Sequence, residues 1–346
     1  MEADRRPAGA DRSLQATGLR RRDRRVPASR RLIAGRPMLR LLVVLGSILL
    51  SGLAMAGDRA VDAGGFPATL SAAEADGPLV LMISGSGPTD RDGNNAFGVR
   101  AGTLGKLAAA LASRGIASLR YDKRGLPGSV PVGDEAEVTF ETFVADLEAV
   151  AAWARSTSAH RPLVLMGHSE GGMVAIEAAR RAPHAYDGLI LLATPGRPPA
   201  ETMRDQLANL PEPERSDAFG MLADLEAGRR IDTVPPSLAG LFRASVQPFV
   251  ISMLALRPAE TLAALDLPVL VIGGGTDIQV GRPDFDALAA ARTDAQSHWV
   301  ERMNHILVDA PADFAGNVAT YADPDVELSG GLADRIADFV TGIDAR

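Results

Sequence analysis

The pentapeptide Gly167-His168-Ser169-Glu170-Gly171 fits the pattern G-x-S-x-G, in which a tight turn between a strand and a helix thrusts a serine into the open. Small residues at 167 and 171 let the chain double back closely. The helix start beneath favours negative charge developing beside the hydroxyl. A serine so placed is a nucleophile for acyl transfer once a base takes its proton. Five histidines are available as that base. His160 precedes a strand, His184 leads into one and His298 starts one, which puts all three at the wrong sheet edge. His168 belongs to the turn itself. His305 alone stands just beyond a strand's carboxyl end, the edge at which ligands bind in open α/β sheets.

The acid that orients the base belongs on the same edge, between Ser and His in chain order. Gly273-Gly274-Gly275-Thr276-Asp277 follows an apolar run and delivers Asp277 there. Asp266 stands before that run, while Asp284 and Asp286 read as solvated charges on the next helix. Backbone donors for an oxyanion require a permissive loop after the first long strand. Ser84-Gly85-Ser86-Gly87-Pro88-Thr89-Asp90-Arg91-Asp92-Gly93 supplies one. The amides of Ser86 and Glu170 are the expected donors. This loop is followed by neither a P-loop Lys-Ser/Thr nor G-x-G-x-x-G. Its Asp90-Arg91-Asp92-Gly93-Asn94 lacks the glycine placement and terminal Glu of a calcium loop. Asp90 and Asp92 are read as caps that brace it, and no metal or other cofactor is expected.

These residues need a scaffold, and the pattern of the chain provides it. Apolar strand-like runs at 79–84, 116–121, 163–166, 189–193, 269–272 and 298–301 alternate with helical patterns at 103–113, 139–155, 170–182 and 332–343. The expected class is α/β, a mostly parallel sheet flanked by helices. Between 197 and 264 the pattern is helical only, too long for a plain connection. It is read as a helical cap inserted into a core of 57–196 and 265–346. Phe249 and Met253 in that cap are expected to line the substrate pocket.

Charge is distributed unevenly. Residues 1–40 carry twelve Arg against four acidic residues, a net of +8, residues 41–56 carry no charge, and the chain totals −7, so the remainder carries −15. An acidic body argues against nucleic acid as a partner. The basic start, the apolar run 41–53 and Ala54-Met55-Ala56 read as an export signal over 1–56, with thirteen apolar residues too few for a comfortable membrane span. An uncleaved N-terminal anchor is the alternative, and the one expected route to a membrane. Met38-Leu39-Arg40 is itself a compact signal start, so 1–37 is read as lying upstream of the initiation site. The absence of cysteine excludes disulfides, thiolate metal sites and a cysteine nucleophile.

With these residues in view, the chain from about Leu79 onward resembles the α/β-hydrolases. The loop 85–93, Tyr121-Asp122-Lys123-Arg124-Gly125, Ser245-Val246-Gln247-Pro248, Asp277-Ile278-Gln279-Val280 and Asn304-His305 look like those of bacterial carboxylesterases related to the EstD type. Ser84 departs from the pattern, standing where many relatives carry His. The resemblance implies hydrolysis of small-molecule carboxylic esters without a cofactor. Ser169 would attack, His305 would act as base and Asp277 would hold the imidazole. A peptidase or amidase, an acyltransferase and a non-catalytic ligand-binding relative are the alternatives. Oligomeric state is left open.

Overall fold

The structure is a computed structural model that describes residues 57–71, 77–157 and 161–343. The expected export segment 1–56 and His160 lie outside the described residues. Among the described residues, eight strands form one sheet: β1 (Asp58–Asp62), β2 (Pro67–Ser71), β3 (Leu79–Ile83), β4 (Ala117–Tyr121), β5 (Leu163–His168), β6 (Gly188–Leu192), β7 (Val269–Gly274) and β8 (Gln296–Val300). Their order is β1-β2-β4-β3-β5-β6-β7-β8. From β4 to β8 every neighbouring pair is parallel, whereas β1 and β2 join antiparallel at one edge. The central strands read LVLMI, LVLMGH, GLILL and VLVIGG because helices cover both faces and every residue but His168, at the end of β5, is buried.

The helices are α1 (Thr103–Ala112), α2 (Phe140–Thr157), α3 (Glu170–Arg181), α4 (Pro199–Leu207), α5 (Glu214–Glu226), α6 (Ala239–Phe242), α7 (Gln247–Leu254), α8 (Pro258–Ala263), α9 (Arg282–Ala291), α10 (Phe314–Ala319) and α11 (Leu332–Thr341). One apolar core joins the sheet to α2, α3 and α9 through Val144, Leu147, Val150, Ile176 and Leu288. The other joins its opposite face to α1 and α11 through Leu107, Leu111, Ile336 and Val340. Helices α4 to α8 are inserted between β6 and β7, as the helix-only stretch predicts. Leu207, Leu222, Leu225, Phe242, Val250 and Leu254 form a separate apolar centre for this insertion.

Three expectations need correction. The sheet begins before Leu79, because β1 and β2 turn through Gly64 and Gly65, both at positive φ, and pair onto β4. His298 sits in the middle of β8 rather than at its start. Asp284 is no solvated helix charge. It is fully buried and accepts hydrogen bonds from the Gly196 and Arg197 amides, Thr202 Oγ1 and the Arg197 guanidinium. A carboxylate is tolerated there because donors surround it. Asp286 does stay at the surface, paired with Arg282.

Candidate active site

The serine sits where β5 gives way to α3, with φ 55° and ψ −124°. Such a backbone costs a non-glycine residue of the order of 1–3 kcal/mol and persists only when its surroundings enforce it. Here they do. The Ser169 amide donates to Leu192 O at 2.9 Å, and its carbonyl accepts from the Gly172 amide at 2.9 Å. A Cβ at position 167 would lie 2.3 Å from Gly171 O, and one at 171 would lie 2.4 Å from Ile83 O. Both glycines of the pattern are therefore demanded by close approach of backbone.

The loops after β7 and β8 deliver the other two side chains. His305 Nε2 lies 3.1 Å from Ser169 Oγ, and His305 Nδ1 lies 2.9 Å from Asp277 Oδ2. Asp277 Oδ1 accepts from the amides of Gln279 and Val280 at 2.7 and 2.9 Å. The Asp277 side chain is fully buried, and Ser169 and His305 are nearly so. An ionised carboxylate only accepts, so His305 Nδ1 carries the hydrogen and Nε2 presents its lone pair to the serine hydroxyl. The loop bearing His305 is pinned by buried Asn304, whose Nδ2 donates to Asn317 Oδ1 and Thr320 Oγ1. The structure thus brings Ser169, Asp277 and His305 together, in the geometry of nucleophile, orienting acid and base.

The loop 84–93 presses against this group: a Cβ on Gly85 would sit 3.3 Å from Ser169 Cβ. Among the described residues, neither the Ser86 nor the Glu170 amide has an acceptor within the protein. Two free N–H groups beside the hydroxyl are what an oxyanion needs. Asp90 Oδ1 accepts from the Asp92 and Asn94 amides, and Asp92 Oδ1 from Arg120 Nε, so both brace the loop. Ser84 Oγ reaches Thr89 O at 3.4 Å, a weak contact.

Two residues escaped the reading by edge of sheet. His168 turns its ring back across the turn, with Nε2 2.7 Å from His305 O. Burial, and then the neighbouring His305, pull its pKa down to about 4. Lys123 follows β4, is buried, and donates to Gly85 O at 3.0 Å and Glu170 Oε1 at 2.8 Å. Its partners are 38 and 47 residues away, so no local spacing could reveal them.

A cleft of about 150 Å³ opens at Ser169, walled by Ser86, Asn95, Thr103, Leu104, Ile306 and Tyr321 among others. Phe249 and Met253 are not in that wall. Phe249 stacks on Phe140 and meets Phe143 edge-on, and Met253 packs into the same junction between the insertion and the core. The aromatic surface on α2 captures these side chains before they can reach the cleft.

Comparison with known proteins follows the same lines. Residues 96–216 match a family model described as serine aminopeptidase, S33. Over 271 residues the chain is 30% identical to esterase EstD of Thermotoga maritima, covering 72% of this chain and 60% of that protein. The chain therefore spans about 60% of the length of this curated relative. Est1E of Butyrivibrio proteoclasticus, solved with ferulic acid bound, is 16% identical with a TM-score of 0.54, over 82% of this chain and 96% of that one. Proline iminopeptidase of Mycobacterium smegmatis is 17% identical with a TM-score of 0.50, over 82% and 97%. The two structures speak for the fold alone. Sheet order, elbow and these similarities together give this chain the α/β-hydrolase fold, with distant sequence similarity to esterase EstD.

Proposed function

We propose that this chain hydrolyses carboxylic esters of small acyl groups through an acyl-enzyme on Ser169. The observation that carries the reading is the continuous path from Ser169 Oγ through His305 to buried Asp277, opening on a small cleft. His305 takes the hydroxyl proton as Ser169 attacks the carbonyl. Asp277 holds the tautomer and stabilises the imidazolium. The amides of Ser86 and Glu170 receive the oxyanion; its collapse expels the alcohol, which takes the proton from His305, and water activated by the neutral His305 then cleaves the acyl-enzyme, releasing the acid and restoring the Ser169 hydroxyl. The 30% identity to esterase EstD supports an ester as substrate.

Cleavage of an amide bond is the second reading, favoured by the match of residues 96–216 to the serine aminopeptidase model. An aminopeptidase must receive a free ammonium beside the scissile bond. Among the described residues, no carboxylate is part of the cleft wall. Parallel turnover of aryl esters and aminoacyl anilides separates the two, and faster anilide turnover overturns the ester reading. We also propose that the protein is exported after cleavage at Ala56. N-terminal sequencing of secreted protein should begin at Gly57, and a mature start elsewhere removes that proposal.

A further inference from the structure

We propose that Lys123 is a positioning residue that sets both oxyanion donors at once. The inference rests on the reading of Ser86 and Glu170 as those donors. The Lys123 ammonium is buried and makes three directed contacts: Gly85 O at 3.0 Å, Glu170 Oε1 at 2.8 Å and the face of the Phe143 ring, 4.6 Å from its centroid. Gly85 C=O and Ser86 N–H belong to one planar trans peptide group, so they point in opposite directions. Holding the carbonyl on Lys123 therefore turns the Ser86 amide away from the lysine. Gly85 is packed against Ser169 Cβ and His168 Nδ1, which leaves that peptide group beside the nucleophile. The other donor is the amide of Glu170, and the same ammonium holds that residue by its side chain.

Lys123 is the side chain that bonds the 85–86 peptide among the described residues. Ser84 Oγ makes only the 3.4 Å contact to Thr89 O, Thr89 Oγ1 donates to Ser86 O at 2.8 Å on the next peptide group, and the bonds of Asp90 lie further on, at Asp92 and Asn94. Ser86 is exposed, and among the described residues no backbone group bonds the Gly85 carbonyl or the Ser86 amide. A charge is placed inside the protein because a charge-assisted bond is about twice as strong as a neutral one. The Glu170 carboxylate neutralises it, and the two groups span three segments of the site.

The test compares wild type, Lys123→Met and the double variant Lys123→Met/Glu170→Gln. The double variant retains the Glu170 amide and removes the carboxylate that the single change leaves buried and unpaired. Turnover of an aryl ester is measured with inhibition by an aryl trifluoromethyl ketone, whose hemiketal oxyanion needs the same donors. The expected result for Lys123→Met is a loss of kcat of about tenfold to a hundredfold, with KM within about twofold. Inhibitor affinity should weaken in parallel, and the double variant should remain slow because Gly85 O is still unanchored. A folded Lys123→Met with wild-type kcat, or recovery in the double variant, overturns the proposal. A crystal structure of Lys123→Met decides the same point without activity: a turned or disordered 85–86 peptide supports it, and an unchanged peptide overturns it. If Lys123→Met does not fold, Lys123→Gln is judged by the same outcomes. Failure of wild type to turn over any ester or anilide would instead sink the functional reading, leaving the peptide orientation to be judged separately.

Discussion

His168 and His305 are joined twice: His168 Nε2 lies 2.7 Å from the His305 carbonyl oxygen, and the two rings sit 4.9 Å apart. A carbonyl can only accept, so His168 donates from Nε2. The residue beside Ser169 thereby fixes the backbone of His305, the proposed base. Replacing His168 with Phe removes this bond, and a bond of about 1 kcal/mol corresponds to roughly fivefold in an equilibrium. We expect kcat to fall at least that much at pH 8 while KM changes little, as steady-state kinetics on an aryl ester will measure.

The same pair makes stability depend on pH. An imidazole titrates at 6.5 when unperturbed, and in the fold His168 titrates at about 4. Between those values the unfolded chain binds a proton that the folded chain refuses. Stability is therefore complete above pH 6.5 and falls as pH drops towards 4, by at most about 1.4 kcal/mol per pH unit. Urea unfolding at pH 7.5 and pH 5 should show a larger loss for wild type than for His168→Phe. An equal loss in the two proteins would assign the effect elsewhere.

Asp284 anchors the entry to the inserted helices. Its carboxylate accepts from Thr202 Oγ1 at 2.7 Å, from the Arg197 guanidinium at 2.8 Å and from the two amides at the end of the β6 loop. Asp284→Ala leaves those donors buried without a partner, and we expect a loss of about 3 kcal/mol. Asp284→Asn keeps acceptor capacity and should lose less. Thermal unfolding of both variants measures the difference, and a near-neutral Asp284→Ala would show that water replaces the carboxylate.

The cleft at Ser169 has about 150 Å³, a size that in other proteins accommodates a benzene-sized guest. Short acyl chains should be turned over best, with kcat/KM for aryl acetate or butyrate at least about tenfold above that for the decanoate. A preference for long chains would place the acyl group outside this cleft.

The site was legible where topology alone decides. Ser169, Asp277 and His305 stand at carboxyl ends of β5, β7 and the loop after β8, and edge of sheet plus chain order single them out. The parts that escaped depend on distances across the sequence. Lys123 meets Glu170 from 47 residues away, and Arg197 meets Asp284 from 87, so neither pair leaves a spacing to read. The hairpin of β1 and β2 escaped because its first strand is short, polar and exposed on an edge, with no apolar period to mark it. The pocket was assigned to Phe249 and Met253 because apolar residues on an inserted helix invite that role. The wall comes instead from the loop after β3, the start of α1 and the stretch around Tyr321, which reads as a connection when only composition is seen.

Covalent labelling by a fluorophosphonate tests the central claim most directly. Folded wild-type protein should take up one label per chain, and Ser169→Ala should take up none while keeping its unfolding temperature. Labelling of a folded Ser169→Ala, or none in folded wild type, would contradict the assignment of Ser169 as the nucleophile.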